Sequence, residues 1–341
     1  MKKALSLLLS ILLVASLSAL AACNGGGSST ETDNGGTPPA DNLTEFTVAF
    51  CTWVGYGPLF IAEDQGFFEE FGIAPRLTII EDESQYAAAL YSNSIQALGN
   101  VLDREVVHFA AGTPSIVLFA MDESTGGDGI VSTAEIQTVQ DLVGKTVALD
   151  KSSTSYFFFL SILEANGVDE ADVNIQEMGA DDAGNAFIAG HVDAAVVWEP
   201  YLTEANQREG GHVLVDSSEY PKVIVDVMVM RSDFAEANPA AAEGLTAAWY
   251  KAIEFYWANP EEGNRIMAEG FELDAEEIAD MATGITFMGL EENRAFFDRN
   301  TPDNIFEVAT RASDFWAELG LIEAGIDVDA FISTKFYNTA F

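Results

Sequence analysis

From Thr47 onward the chain alternates short apolar runs with segments of helical spacing, and that alternation admits few folds. Residues 46–52 read as a strand. Residues 58–71 read as a helix, with Leu59, Phe60, Phe67, Phe68 and Phe71 on one face and Gly72 closing it. A strand at 77–80, a helix at 84–92 and buried strands at 106–111 and 116–121 follow. Ser124-Thr125-Gly126-Gly127-Asp128-Gly129 then interrupts the pattern, and a second set begins. Strands are expected at 146–149, 173–177 and 193–198, helices at 153–165 and 181–189, and a further helix from Pro200, since proline suits a first turn. A strand at 224–230 leads back out, and the pattern is mostly helical from Ser232. The expected class is therefore α/β in two lobes, one of residues 46–127 with 231–341 and the other of residues 128–230. The aromatics of the last part, Trp249 with Tyr256 or Trp257, recur at helical spacing and read as packing.

The first residues belong to a different logic. Lys2 and Lys3 precede an apolar run at 5–17, and Leu20-Ala21-Ala22-Cys23 forms a small-residue exit. That order is the pattern of a secretory signal, and the run is short beside the roughly 20 apolar residues of a membrane span. Ending on cysteine resembles the bacterial lipoprotein signal, which implies a signal peptide over 1–22 and a lipid on the thiol of Cys23. Residues 23–45 are Gly, Ser, Thr, Asp and Pro with few apolar side chains, a composition that buries too little surface to offset its ordering entropy. They read as a flexible tether. Besides Cys23 only Cys51 remains, in an apolar run, so no internal disulfide is expected and Cys51 reads as a small buried hydrophobe.

Charge excludes whole classes of partner. Fifteen Lys and Arg stand against 55 Asp and Glu, a formal net charge of −40. Such a field repels nucleic acid and anionic lipid, so membrane attachment falls to the anchor. The many carboxylates with few lysines suggest a solvated surface suited to a saline habitat.

Four blocks carry a family resemblance. They are Trp53-Val54-Gly55-Tyr56-Gly57-Pro58 with Gly66-Phe67-Phe68; Asp141-Leu142-Val143-Gly144-Lys145-Thr146 with Ser152-Ser153-Thr154-Ser155; the run from Ala186 to Pro200 through Val196-Val197-Trp198-Glu199; and Ile224-Val225-Asp226-Val227. In this order they resemble solute-binding proteins of the nitrate, sulfonate and taurine type of ABC importer. The resemblance implies a two-lobed periplasmic binding protein fold of type II, crossed twice by the chain, with ligand in a hinged cleft. It also implies a small-molecule solute and a membrane permease as partners, outside the cytoplasm, for a lipid-anchored monomer.

Candidate ligand groups follow from position. Ser153 and Thr154 sit where a helix begins, so they either hold an oxyanion or cap the helix. Ser84 and Gln85 present the same choice. Asp226 lies in an apolar strand, where a charge needs a cation: either a ligand, or Arg231 or Arg104. In taurine-binding relatives an Asp of the matching strand is expected to face the substrate ammonium. Glu199 is a second acceptor or a favourable charge at a helix start. Asp103 faces the cleft or lies in an exposed loop. Trp53, Tyr56 and Trp198 offer aromatic faces to a cation. Carboxylates with rings point to a small nitrogenous cation or zwitterion: an amine, amidine, guanidinium or taurine-like compound. The alternative is an oxyanion such as nitrate or a sulfonate, or a pyrimidine precursor.

An enzyme finds little support. His108, His191 and His212 are isolated, without zinc spacing, and neither a nucleophile elbow nor a phosphate loop occurs. No cofactor and no metal are expected.

Overall fold

The computed structural model describes residues 43–341. The expected signal peptide, Cys23 and nearly all of the expected tether lie outside the described residues. Among the described residues eleven strands run in chain order: β1 (Thr44–Phe50), β2 (Ile73–Ile79), β3 (Ala97–Val101), β4 (Ser115–Ser124), β5 (Asp128–Thr133), β6 (Thr146–Leu149), β7 (Asn174–Glu177), β8 (Ala194–Trp198), β9 (Gly211–Asp216), β10 (Val225–Arg231) and β11 (Ile285–Phe287).

They form two sheets, one in each lobe. The first has six strands in the order β11-β4-β10-β3-β1-β2, and the second five in the order β7-β6-β8-β5-β9. Parallel pairs (β1 with β2 and β3, β6 with β7 and β8) lie beside antiparallel ones, because β10 enters the first sheet against both β3 and β4. This moves the boundary expected at residue 230. β10 pairs wholly within the first sheet, so the chain has returned before Val225. The run of alternating Val and Met was legible as a strand, but a strand does not carry its sheet in its sequence.

The chain passes from β4 to β5 and back from β9 to β10, and the two crossings touch. The Ser124 N–H donates to the Ile224 carbonyl at 3.1 Å, and the Gly126 N–H donates to Ser217 Oγ at 2.8 Å. Two adjacent segments of backbone crossing between the sheets make a natural bending point.

The expected strand at 106–111 is a helix, Leu102–Ala110. Val106-Val107-His108-Phe109 is a short run, apolar but for His108, which periodicity cannot assign between strand and buried helix. The helix expected over 58–71 is split into Pro58–Asp64 and Phe67–Glu70, with Gly66 between them at φ 70°, a left-handed conformation that suits glycine. Strands β5 and β9 had no forecast, since the Gly-rich break and the polar Gly211-His212 start hide them.

Among the described residues, hydrophobic clusters cover both faces of the first sheet and both of the second. One of them runs on from the first lobe into the second through the helix Thr154–Ala165 and the C-terminal helix Ile305–Glu318. There Phe157 meets Phe315 edge-on at 5.0 Å and Trp316 at 5.4 Å. No described helix is long and apolar enough to cross a membrane.

Candidate functional site

Strand ends from both sheets converge on one small cavity. Cys51, Trp53, Tyr56, Glu83, Val101, Ile224 and Asp226 line it from the first lobe and its crossing, and Asp128, Thr154 and Trp198 from the second. Trp53 precedes and Tyr56 ends a tight turn after β1 (Val54–Tyr56) that runs into the helix starting at Pro58. Gly55 has to be glycine here, since a Cβ would stand 2.1 Å from Asp122 Oδ2 and 2.4 Å from Trp53 Nε1. Trp198 ends β8 and packs against the apolar clusters of both lobes. The cavity measures about 20 Å³, which is room for one water molecule and too small for an organic solute. Admission therefore needs the lobes to part.

Carboxyl groups dominate the floor. Asp226 and Asp122 are register partners across β10 and β4, and their exposures are 1 % and 0 %. The Tyr56 hydroxyl donates to Asp226 Oδ1, and Trp53 Nε1 donates to Asp122 Oδ1 at 3.2 Å, while Asp122 Oδ2 has no partner. Burial pushes both carboxyls above the usual range, and the charge of Asp226 raises Asp122 further. Two carboxylates this close cannot both ionise cheaply, so the pair retains a shared proton. Burial lifts Asp128 to about 7, against the stabilising Ser124 hydroxyl. It lifts Glu83 to about 8, helped by the charge of Asp150 and opposed by Arg104. The Cys51 thiol is raised well above its ordinary value by burial and then by Glu83. Burial thus lets these acids keep their protons to higher pH than ordinary carboxyls, and a protonated one can donate as well as accept.

The ten residues singled out from sequence divide in the structure. Trp53, Tyr56, Thr154, Trp198 and Asp226 come together around the cavity. Asp103 stands just behind them. It is in the first turn of the helix Leu102–Ala110 rather than in a loop, is 2 % exposed, and its Oδ1 accepts from Thr154 Oγ1 at 2.9 Å. Ser153 is buried as the cap of the helix Thr154–Ala165, its Oγ accepting from the Ser155 N–H at 3.3 Å. Glu199 accepts from both the N–H and the hydroxyl of Thr203, at 3.0 and 2.7 Å, and faces an outer groove. Ser84 and Gln85 are exposed and bonded to Asp82, away from the cavity. Arg231 is engaged by Asp233 and the Leu90 carbonyl, so it does not answer Asp226.

Asp122, Asp128 and Glu83 were missed. Asp122 ends the apolar run of β4, and a carboxylate at the end of a buried strand was the available signal. Asp128 was concealed in the Gly-rich break. Among the described residues no group of His, Cys, Asp and Glu is arranged to hold a metal ion.

The family described as NMT1/THI5 like matches residues 53–263. The taurine-binding periplasmic protein of Escherichia coli K12 is 27 % identical over 220 residues, 63 % of this chain and 67 % of that protein. A putative aliphatic sulfonates-binding protein of Bacillus subtilis 168 is 24 % identical over 338 residues, covering 97 % of this chain and 96 % of its own. The crystal structure of the periplasmic aliphatic sulphonate binding protein SsuA of Escherichia coli superposes with a TM-score of 0.71 at 21 % identity, over 86 % of this chain and 99 % of that one. The fold is accordingly the two-lobed periplasmic binding protein fold. The curated relatives are named as binding proteins and not as enzymes, in agreement with the reading from sequence.

Proposed function

The chain belongs to the NMT1/THI5-like family, and on that premise we propose that it is the solute-binding component of an ABC importer, closing two lobes over a sulfonate-type oxyanion. One observation carries the reading: the family match spans every residue that lines the cavity except Cys51. The bare amine, amidine or guanidinium expected first has no counterpart in the names of these relatives, which speak of taurine and aliphatic sulfonates. The oxyanion alternative fits them better.

Features of this cleft support the same class. Thr154 opens a 12-residue helix at the cavity wall, where backbone N–H groups and the helix dipole favour negative charge. The raised acids Asp128 and Glu83 donate hydrogen bonds when protonated rather than repelling an anion. Asp226, which lines the cavity together with Trp53 and Trp198, then suits an ammonium on the same molecule. An aminosulfonate satisfies both ends.

Calorimetry of the full chain against taurine, ethanesulfonate, nitrate and guanidinium tests this. Taurine and ethanesulfonate are expected to bind, taurine more tightly, and guanidinium not at all. Heat from guanidinium alone would return the ligand to the cation class.

The location belongs to the same reading: the chain works outside the cytoplasm, held to a membrane by lipid on Cys23 and delivering solute to its permease. Cys23→Ser should release it into the soluble fraction. A variant still sedimenting with membranes would discredit the anchor.

A further inference from the structure

We propose that Asp122 and Asp226 act as one carboxyl pair whose proton count follows the ligand: one proton facing an ammonium, two facing an uncharged tail. Asp122 then sets specificity through Asp226 without touching the solute, a role that rests on the sulfonate reading above.

The sheet builds the pair. Asp226 of β10 and Asp122 of β4 are register partners, and directly opposite residues send their side chains to the same face. Asp226 lines the cavity and Asp122 does not, so Asp122 stands behind it. Each carboxyl lies within hydrogen-bonding reach of the other. The Tyr56 hydroxyl holds Asp226 Oδ1, and the Trp53 N–H holds Asp122 Oδ1. That leaves Asp122 Oδ2 buried without a donor, against Gly55, where an added Cβ would fall 2.1 Å away. An ionised Asp122 would leave this oxygen unanswered, which is unfavourable. A protonated Asp122 turns the same carboxyl into a donor to Asp226, and the missing partner is accounted for.

Nothing around the pair balances its charge. The titratable groups facing it are Cys51 and Tyr56 after β1, Glu83 beyond β2, Asp103 of the helix Leu102–Ala110, and Asp128 of β5. None of them is positive in either protonation state. The cation Arg104 acts on Asp103 and Glu83. With Asp122 protonated, an ionised Asp226 gives the pair one negative charge, the complement of one ammonium. A ligand ending in an alkyl group offers that charge no counterpart. Burial then makes Asp226 keep or take a second proton, drawn from the buffer. The two bound states therefore differ by one proton, whatever the empty pair holds.

Calorimetry of the full chain in two buffers of different ionisation enthalpy counts protons exchanged on binding. At pH 7 and pH 8 ethanesulfonate should take up about one proton more than taurine, so preference for taurine should climb by close to tenfold per pH unit. Equal counts for two sulfonates that both bind would overturn the pair and spare the function proposed above, whereas binding of neither would overturn both. In Asp226→Asn the two counts should coincide. A difference persisting there would place the proton on another acid and overturn the assignment. Should that variant bind taurine too weakly to count, infrared spectra of the ethanesulfonate complexes decide: the unaltered protein should show one protonated carboxyl more than Asp226→Asn, and equal bands would overturn the pair. Asp122→Leu removes the donor to Asp226 and should move the rise of taurine affinity with pH upward by about one unit, the effect of one hydrogen bond to a charged group. Asp122→Asn, whose amide still donates, should move it back. An unmoved profile in Asp122→Leu would overturn the role of Asp122.

Discussion

The front of the molecule and its back are built on opposite principles. Behind the cleft, Phe157, Phe315 and Trp316 join the two lobes through apolar contact, with Phe157 8 % and Trp316 0 % exposed. In front, the lobes meet over acids, several of them raised above their ordinary range by burial, and one oxygen of Asp122 goes unanswered. The back contributes stability whatever occupies the cleft. The front is left under strain that a ligand can relieve, which is how a receptor ties closure to occupancy.

The largest effect should come from the back. Phe157→Ala removes a buried ring and should lower unfolding stability by about 3–5 kcal/mol in urea titrations. A loss below about 1 kcal/mol would mean that the lobes are not joined there.

At the front the sign should reverse. Asp226→Asn takes away a carboxyl that ionises with difficulty, so at pH 9 the variant should be more stable than the parent by roughly 1–2 kcal/mol. The same change should weaken taurine by about 10- to 100-fold, the range of a hydrogen bond to a charged group, while sparing ethanesulfonate. Equal losses for both sulfonates would remove the ammonium from this position.

The pH profile sharpens the contrast. Asp128 near 7 and Glu83 near 8 stand above the ordinary carboxylate values. Between about 4 and those values the folded chain holds more protons than the unfolded one, so stability declines as pH rises through that interval. Melting temperature should fall from pH 5 to pH 8.5, and Asp128→Asn should flatten the slope. A melting temperature that climbs over this range would contradict the protonated floor.

Salt should act at the mouth. A groove of about 650 Å³ is lined by Glu199 and Glu204 beside the second lobe's helix Tyr201–Asn206, and by Asp274, Glu276, Glu277 and Asp280 beside the first lobe's Ala275–Met281. Neither lysine nor arginine lines it. Raising salt from about 0.05 to 1 M shortens screening to roughly 3 Å, and scattering should then report a more closed molecule. Smallest of all, Ser84→Ala should change taurine affinity less than about twofold, because Ser84 is exposed and occupied by Asp82.

How much of this was legible depended on the range of the interaction. Strand 146–149 coincides with β6, and the helix placed at 153–165 begins one residue later, because Ser153 is its cap. Capping and apolar periodicity act over a few residues and are written locally. The helix at 102–110 was misread because the short run Val106-Val107-His108-Phe109, apolar but for its histidine, suits either geometry. Within the site, Trp198 ends a strand, Asp226 lies within one and Thr154 opens a helix, while Trp53 and Tyr56 were found as aromatic residues following the first strand. Asp122 was not found, although its place at the end of an apolar run was a signal, and Asp128 was not because the Gly-rich break around it sets it apart from none of the many surface acids of a chain with a charge of −40.

By itself the sequence determined an α/β alternation in two sets, a carboxylate inside an apolar strand, and aromatic residues where strands end. Each follows from short-range preference and from the reluctance of apolar groups to meet water. Only the tertiary structure decided that Asp122 faces Asp226, that Asp103 reaches Thr154 across the lobes, and that β10 returns to the first sheet. Those pairings arise from register between distant strands and from which lobe a helix packs against, quantities that exist once the chain has closed on itself.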